Sequence, residues 1–334
     1  MNSRIKELSK VGSLDTGIMS DCDFFKNRFN VVTKLPILNV VFSGELDKGY
    51  TAGLTMLAGE SGTFKTNLAL YSLKAYLDTY DDAFGIIYDS EFSITEDYLQ
   101  SFGIESDRIL YIPIKDVEDL KIDIHAKLSA ITREDHVFIL IDSIGNLVSR
   151  KTITDAENEK VSVDMSRAKS LKTLYALITN GANLSDKPIF LINHCYSTQE
   201  MYSKTVVSGG RASLYVPNTV LELSRKKDVN ADKTLEGFDF TINVLKSRTI
   251  RAFSKLSFNV SFDDGIDPNS GLLELAIEGG FIKLSGSWYS LVDENKEPVG
   301  NKLRESQILE TGFYDSLLKN AEFKEFVKSK FKLR

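Results

Sequence analysis

Gly59-Glu60-Ser61-Gly62-Thr63-Phe64-Lys65-Thr66 joins an apolar run, Leu54 to Ala58, to an apolar-periodic segment that reads as a helix. Strand, glycine-bearing turn, Lys-Thr and helix in that order form the pattern of a phosphate-binding loop. Glycine lets the backbone turn several N–H groups toward one point, and the free N–H groups and positive dipole end of the next helix strengthen the same field. An anion fits there. Lys65 would reach the β- and γ-phosphates of a nucleotide as a point charge, and the Thr66 hydroxyl would enter the shell of a Mg2+ ion. One position is irregular: the usual loop has glycine directly before the lysine, whereas this chain has Phe64, with Gly62 two residues earlier supplying flexibility.

Downstream, short apolar runs alternate with longer amphipathic ones, the signature of a parallel sheet flanked by helices, so the core is α/β. The expected strands are Gly53 to Ala58, Phe84 to Asp89, Arg108 to Ile112, His136 to Asp142 and Pro188 to Asn193. The expected helices are Lys65 to Thr79, Ile94 to Phe102, Val117 to Ile131 and Asn158 to Thr179. From about Thr219 the runs Val220 to Leu223, Phe238 to Leu245 and Lys255 to Phe262 follow one another without helices. They read as antiparallel strands that make the sheet mixed, though mainly parallel. Residues 1–34 read as an N-terminal segment, 35–304 as the main domain and 305–334 as a basic helical C-terminal segment.

Ligands of such sheets bind beyond the carboxyl ends of the strands, and two strand ends carry acids. The run Val137 to Ile141 is wholly apolar and ends in Asp142-Ser143, the arrangement that holds the Mg2+ shell beside a phosphate-binding loop. Asp142 and Thr66 are the expected metal-side oxygens. Tyr88-Asp89-Ser90-Glu91 ends a neighbouring strand, where Glu91 would orient and deprotonate a water attacking the γ-phosphate.

The 334 residues, 42% hydrophobic and 26% charged, suffice for one large core with small appendages. The longest apolar runs are strand-sized and the N-terminus has no apolar signal-peptide core, so a soluble intracellular protein is expected. Cys22 and Cys195 lie far apart, and His125, His136 and His194 have no zinc-site spacing, so neither a disulfide nor a structural metal is expected. A net charge of −6 argues against coating nucleic acid by bulk electrostatics, so any such contact must be local. Local basic clusters exist at Arg225-Lys226-Lys227, at Lys246, Arg248 and Arg251, and from Lys319 to Arg334.

Beyond the loop and Asp142-Ser143, the chain carries Tyr88-Asp89-Ser90-Glu91-Phe92, Ile192-Asn193-His194, Thr198-Gln199-Glu200-Met201, Lys246-Ser247-Arg248-Thr249, Gly265-Ile266-Asp267-Pro268 and Trp288-Tyr289. With these it resembles, from about Phe24 to Tyr289, the phage UvsX-type recombinases, members of the RecA family of strand-exchange ATPases. UvsX-type loops tolerate phenylalanine before the lysine, which accommodates Phe64. The resemblance implies a RecA-like P-loop ATPase core that uses ATP and Mg2+, with Gly59, Glu60, Ser61, Gly62, Thr63, Phe64, Lys65, Thr66, Asp142 and Ser143 around the phosphates. Tyr98 would stack on adenine. His194 would sense the γ-phosphate and pass nucleotide state to the following loop.

That loop, Cys195 to Ala212, resembles the family's second DNA-binding loop, with Gln199, Ser203, Lys204, Thr205, Ser208, Gly209, Gly210 and Arg211. The first would lie near Asn146 to Asn158, where Arg150 and Lys151 could meet phosphates and where disorder is expected without DNA. Both would contact backbone, as strand exchange requires indifference to base sequence. Lys246 and Arg248 alternate along an expected strand and so would share a face. In the family the matching cations reach the ATP of the adjacent protomer, so they join Glu91 and Lys65 as expected catalytic groups. The leader, with Phe24-Phe25 and Val31-Val32, resembles the family's polymerisation arm. The function implied is polymerisation on single-stranded DNA as a helical homo-oligomeric filament, pairing with a duplex, and strand exchange. A single-stranded-DNA-binding protein and a loading mediator would be partners, and a phage-infected bacterial cytoplasm the setting, with no membrane involved. A ring helicase on a related core and a non-catalytic, ATP-switched mediator remain open alternatives.

Overall fold

Strands covered by helices on both faces have no solvent side to mark with polar residues, which is why the central strands here are continuous apolar runs. A computed structural model describes residues 3–11, 19, 29–158, 166–197, 205–229 and 232–333. Helix α1 (Ser3–Leu8) precedes the core, and α2 (Pro36–Ser43) opens it with proline in its first turn, where a missing N–H costs nothing. Then follow β1 (Gly53–Gly59), α3 (Lys65–Thr79), β2 (Phe84–Asp89), α4 (Glu96–Ser101), β3 (Ile109–Pro113), α5 (Val117–Ala130) and β4 (Val137–Asp142). Next come α6 (Arg150–Glu157), α7 (Ser166–Ser185), β5 (Pro188–Ser197), β6 (Thr205–Val207) and α8 (Arg211–Tyr215). The antiparallel part holds β7 (Thr219–Val229), β8 (Leu235–Lys246), β9 (Lys255–Ser261) and β10 (Gly265–Ile266). The last region has α9 (Leu272–Gly279), β11 (Ile282–Ser285), β12 (Trp288–Val292), β13 (Pro298–Leu303), α10 (Glu305–Ile308), α11 (Phe313–Lys319) and α12 (Ala321–Phe331).

The ten-stranded sheet runs β10-β9-β8-β7-β1-β5-β4-β2-β3, with β6 attached to β5. From β7 to β3 all pairs are parallel, so the carboxyl ends of β1, β5, β4 and β2 meet at one edge. Their register sets Gly59 opposite His194 and Asp89 opposite Asp142. Because successive strand residues face opposite ways, each strand feeds two cores. Leu57, Ile87, Leu140 and Ile192 pack on one face with α2, α3 and the C-terminal helices, and Met56, Ile86, Ile141 and Leu191 pack on the other with α5 and α7.

The helix expected over Asn158 to Thr179 is α7, described from Ser166 and running on to Ser185, with residues 159–165 outside the described part; a separate helix that the sequence did not indicate, α6, ends at Glu157 just before it. Helix α4 starts later than expected because Thr95 caps it, accepting from the Tyr98 N–H at 3.2 Å. Of the leader's apolar pairs, Phe24-Phe25 lies outside the described residues. Val31 is fully buried and exchanges backbone hydrogen bonds with Tyr50, whereas Val32 is exposed. Only Val32 of that pair offers a surface, since the Val31–Tyr50 bridge turns its neighbour into the core.

Strands β11, β12 and β13 form a separate antiparallel sheet that the sequence pattern did not indicate, for their residues are mostly exposed and carry little apolar alternation. Helix α12 packs Phe323, Val327 and Phe331 into the same core as β1 and α3. The chain is pinned beyond it, where the Leu333 N–H donates to the Thr249 oxygen at 2.8 Å. Phe323→Ala should therefore destabilise the whole domain by about 3–5 kcal/mol, the usual cost of emptying a buried aromatic position. Urea denaturation followed by circular dichroism measures this, and a variant within about 0.5 kcal/mol of the parent would mean that α12 is not held by the core.

Candidate nucleotide site

Strand β1 ends in a glycine because no side chain fits: a Cβ on Gly59 would lie 2.5 Å from the Leu223 oxygen and 2.6 Å from Thr63 Oγ1. Phe64 caps α3 at φ 67°, in the left-handed region. That conformation costs a residue with a side chain about 1–2 kcal/mol. Its ring packs on Phe240 and Phe258 at centroid distances of 5.0 and 5.7 Å. Each aromatic pair adds about 0.5–1.5 kcal/mol beyond the area it buries, which offsets the backbone cost and explains why this loop holds without glycine there.

Lys65 is buried, and its ammonium donates to the Glu60 oxygen at 2.6 Å and to Thr63 Oγ1 at 3.3 Å. Burial pushes its pKa below the ordinary lysine value, while Asp142, Cys195, Glu91 and Glu60 act in the opposite direction. Thr66 Oγ1 donates to Asp142 Oδ2 at 2.7 Å. The Asp142 side lies in the sheet interior at 1% exposure. Burial pushes its carboxyl up to about 6, and Glu91 and Asp89 add to the shift, while the Thr66 hydroxyl and Lys65 oppose it.

The neighbouring strand end is organised differently. Asp89 accepts four backbone N–H groups, from Glu91 and Phe92 at 2.8 Å each, Ser93 at 3.0 Å and Ile94 at 3.1 Å. This carboxylate is a turn-maker, and the turn aims Glu91 at the loop. Glu91 Oε1 accepts from Ser143 Oγ at 2.7 Å and Asn146 Nδ2 at 3.3 Å and lies 3.0 Å from His194 Nε2. Ser143 Oγ also lies 3.2 Å from His194 Nε2. Ser90 Oγ donates to the Ser143 oxygen at 2.7 Å, locking the ends of β2 and β4 together after the cis Asp142–Ser143 peptide. Ser61, Gly62, Thr63, Phe64, Lys65, Thr66, Glu91, Tyr98, Asp142 and His194 thus surround one cavity of about 360 Å3. Tyr98 is held there by its hydroxyl, which donates to Asn67 Oδ1 at 3.0 Å.

Other expected site residues lie apart from this cavity. Lys246 ends β8 and donates to the Pro217 oxygen at 2.6 Å and to the Tyr215 oxygen. Burial, with Arg248 nearby, lowers its pKa. Arg248 does not continue the strand, so the expected alternation of the two cations along one face does not hold. Pairing with β7 stops at Val220 opposite Lys246, and Ser247 Oγ accepts the Thr249 and Ile250 N–H groups at 3.1 and 3.2 Å to turn the chain. Arg248 lines a second cavity with Glu45, Thr249 and Lys332.

The expected first DNA loop carries helix α6, capped by Ser149, rather than irregular chain. There the Arg150 guanidinium meets Asp116, which caps α5, at 3.2 Å and also Asp119, and the Arg150 backbone N–H donates to Glu118 at 2.9 Å, so acids at the start of α5 engage it rather than leaving it outward. Lys151 pairs with Asp155 at 3.2 Å. The expected second loop is a hairpin at its base, for β5 runs on past His194 and Cys195 pairs with Val207 in β6. Thr205 starts β6, the Ser208 N–H donates to the His194 oxygen at 2.9 Å, and Gly209 and Gly210, at φ 92° and 73°, lead into Arg211 and α8. Gln199, Ser203 and Lys204 lie outside the described residues. Sequence reading passed over Asn67, Ser90 and Asn146. Asn67 was findable as the residue after Lys65-Thr66 on the same first turn, whereas Ser90 and Asn146 carry no local signal.

Comparison with known proteins adds lineage to this geometry. The model described as the RecA N-terminal domain matches residues 41–267, and that of the C-terminal domain of the bacteriophage T4 recombination and repair protein matches residues 269–327. The recombination and repair protein of Enterobacteria phage T4 is 40% identical over 325 residues, covering 95% of this chain and 83% of its own length. Protein RecA of Tropheryma whipplei (strain Twist) is 26% identical over 77% of this chain and 60% of its own. Protein RecA of Malacoplasma penetrans (strain HF-2) is 24% identical over 94% of this chain and 93% of its own.

Two outcomes follow from the geometry. Asp142 stays protonated in the fold up to about pH 6 but only to about 3.8 when unfolded, so folding takes up a proton between these values. The folded state is favoured by this group at low pH and loses that advantage as pH rises through 6. Asp142→Asn should match the parent near pH 4 and exceed it by up to about 3 kcal/mol near pH 8 in denaturant melts of nucleotide-free protein. A gap that does not change with pH would contradict the burial effect. At Phe64, replacement by glycine removes the left-handed penalty along with the ring, whereas alanine removes the ring alone. Phe64→Ala should therefore be less stable than Phe64→Gly by about 1 kcal/mol, and the reverse order in the same melts would refute the account of φ at this position.

Proposed function

The chain belongs to the RecA family, among its phage UvsX-type recombinases, and from that premise we propose that the cavity hydrolyses ATP to drive a DNA-bound filament through homologous pairing and strand exchange. DNA recombination is the work of the family; the site chemistry is the step inferred. The observation that carries it is the convergence on one cavity of a buried lysine, the Thr66–Asp142 pair and the Glu91–His194 pair, which Ser143 backs.

Each part has a task that its surroundings suit. Lys65 is held by a carbonyl and a hydroxyl, both weaker partners than a phosphate oxygen, so its charge is available to a triphosphate. Mg2+ is ordinarily held by one or two carboxylates together with substrate phosphates, and Thr66 with Asp142 fits that donor set; bound there, the ion would neutralise phosphate charge. Glu91 engages Ser143, Asn146 and His194 through Oε1, which leaves Oε2 as the oxygen to orient a water and accept its proton. Tyr98 offers a ring face to adenine.

His194 links this chemistry to the hairpin. Its side chain touches Glu91 and its oxygen accepts the Ser208 N–H, so a change at the γ-phosphate position reaches residues 205–211 through one strand. Those residues, with Gln199, Ser203 and Lys204, are the proposed single-stranded DNA contacts, and duplex DNA would be engaged by the same filament. Arg150 and Lys151 would join only after releasing their carboxylate partners. Lys246 and Arg248, both outside their own chain's cavity, are proposed to reach the nucleotide of a neighbouring protomer and stabilise transition-state charge there. A single-stranded-DNA-binding protein and a loading mediator are the proposed partners, in the cytoplasm of a phage-infected bacterium. No helix among the described residues is long and apolar enough to cross a membrane.

ATP turnover should rise steeply with protein concentration in the presence of single-stranded DNA. Glu91→Gln should cut kcat by about 10²- to 10⁴-fold while nucleotide binding is retained. Steady-state phosphate release with matched nucleotide-binding assays tests both, and full turnover in Glu91→Gln would remove that residue as the base.

A further inference from the structure

We propose that Arg225, on β7, is a positioning residue that presets the phosphate loop in its anion-binding shape. The inference rests on the nucleotide reading of the cavity and deepens it. Arg225 Nη1 donates to the Gly62 oxygen at 3.0 Å. In a trans peptide the C=O and the next N–H point in opposite directions, so holding the Gly62 oxygen out against β7 turns the Thr63 N–H away from β7, toward the cavity that Thr63 lines. Donors aimed beforehand at a developing or resident negative charge need no reorganisation when the charge arrives.

The fit between arginine and loop is close. Gly62 has φ 72°, and a Cβ placed on it would lie 2.8 Å from Arg225 Nη1 and 3.2 Å from Cζ. The left-handed backbone favours glycine at this position, and the guanidinium lies directly over the face where a side chain would stand. The guanidinium is itself fixed from below, lying 4.7 Å over the Phe238 ring. Phe238 adjoins Phe240 at 6.1 Å, and Phe240 carries Phe64 at 5.0 Å. The two loop positions with left-handed backbone, Gly62 and Phe64, are therefore both braced by the antiparallel strands, one through a charge and one through a ring.

The neighbouring cations do not share this role. Strand alternation turns Lys226 to the other face, and among the described residues Arg225 alone of Arg225, Lys226 and Lys227 bonds to the loop. A basic strand face that merely met DNA backbone would use Arg225 and Lys227, which share a face, alike. Lysine in place of Arg225 would keep the charge but lose the planar fork that spans both the carbonyl and the ring.

The test uses the full-length chain with Mg2+-ADP as probe, titrated calorimetrically, and with an oligo-dT strand in parallel. Arg225→Ala should weaken ADP binding about tenfold and Arg225→Lys by about threefold, with oligo-dT affinity within twofold of the parent, as expected for losing one charged hydrogen bond at the loop. At saturating ATP, kcat should stay within about twofold while KM rises in step with the ADP constant. Lys226→Ala should change none of these. ADP affinity within twofold of the parent in Arg225→Ala, while Lys65→Ala loses binding, overturns the proposal and leaves the nucleotide site standing. Loss of oligo-dT binding alone in Arg225→Ala also overturns it, in favour of a DNA-backbone contact. Equal ADP binding in Lys65→Ala and the parent would instead bring down the nucleotide reading itself.

Discussion

The hydrogen bond from Thr66 to Asp142 joins residues 76 apart in sequence, from the start of α3 to the end of β4. It can form only if β1 and β4 run parallel with β5 between them and end at the same edge. Parallel pairing is in turn tolerable only where both faces are covered, which α3 and the C-terminal helices do on one side and α5 and α7 on the other. The packing of residues as remote as Phe323 thus bears on the distance between a hydroxyl and a carboxylate. That distance sets where a hard cation and a polyphosphate can be held together.

Asp89 and Asp142 stand side by side in register, yet their surroundings give them opposite characters. Asp89 is buried among four N–H donors and serves the backbone, so its negative charge is compensated where it stands. Asp142 has the Thr66 hydroxyl and the field of Lys65, too little to offset burial beside two other acids. Its charge is stable only when further positive charge arrives. A carboxyl kept away from its ordinary pKa by its fold costs stability, which fits the binding role proposed for Asp142.

The loop, Lys65, Thr66 and the strand ending in Asp142 were legible because each is written in consecutive residues: an apolar run, a turn and a helix start. Parallel topology was legible from alternation, and the change to antiparallel strands near Thr219 from its loss. Contacts between distant segments were not. Nothing local to Phe64 announces Phe240 and Phe258, nothing in Arg150-Lys151 announces the acids at the start of α5, and the stop of β8 at Lys246 is set by the end of its pairing with β7 at Val220. The small sheet of β11, β12 and β13 escaped because strands exposed on most positions lack the period-two signal on which strand reading depends.

The hairpin of β5 and β6 has a side-chain anchor at each end. At its entrance His194 contacts Glu91 through the ring and Ser208 through the backbone, and Asn193 Nδ2 adds a hydrogen bond to the Ser208 oxygen at 2.8 Å. At its exit, around the end of α8, the carbonyls of Tyr215 and Pro217 receive the Lys246 ammonium. Displacing the hairpin therefore strains two contacts at once, one on the group proposed to activate water and one on the cation proposed to serve a neighbour. If DNA holds the hairpin, Glu91 feels it through the single residue His194 and Lys246 through the short helix α8, and no long relay through the sheet is needed to join DNA occupancy with hydrolysis and assembly.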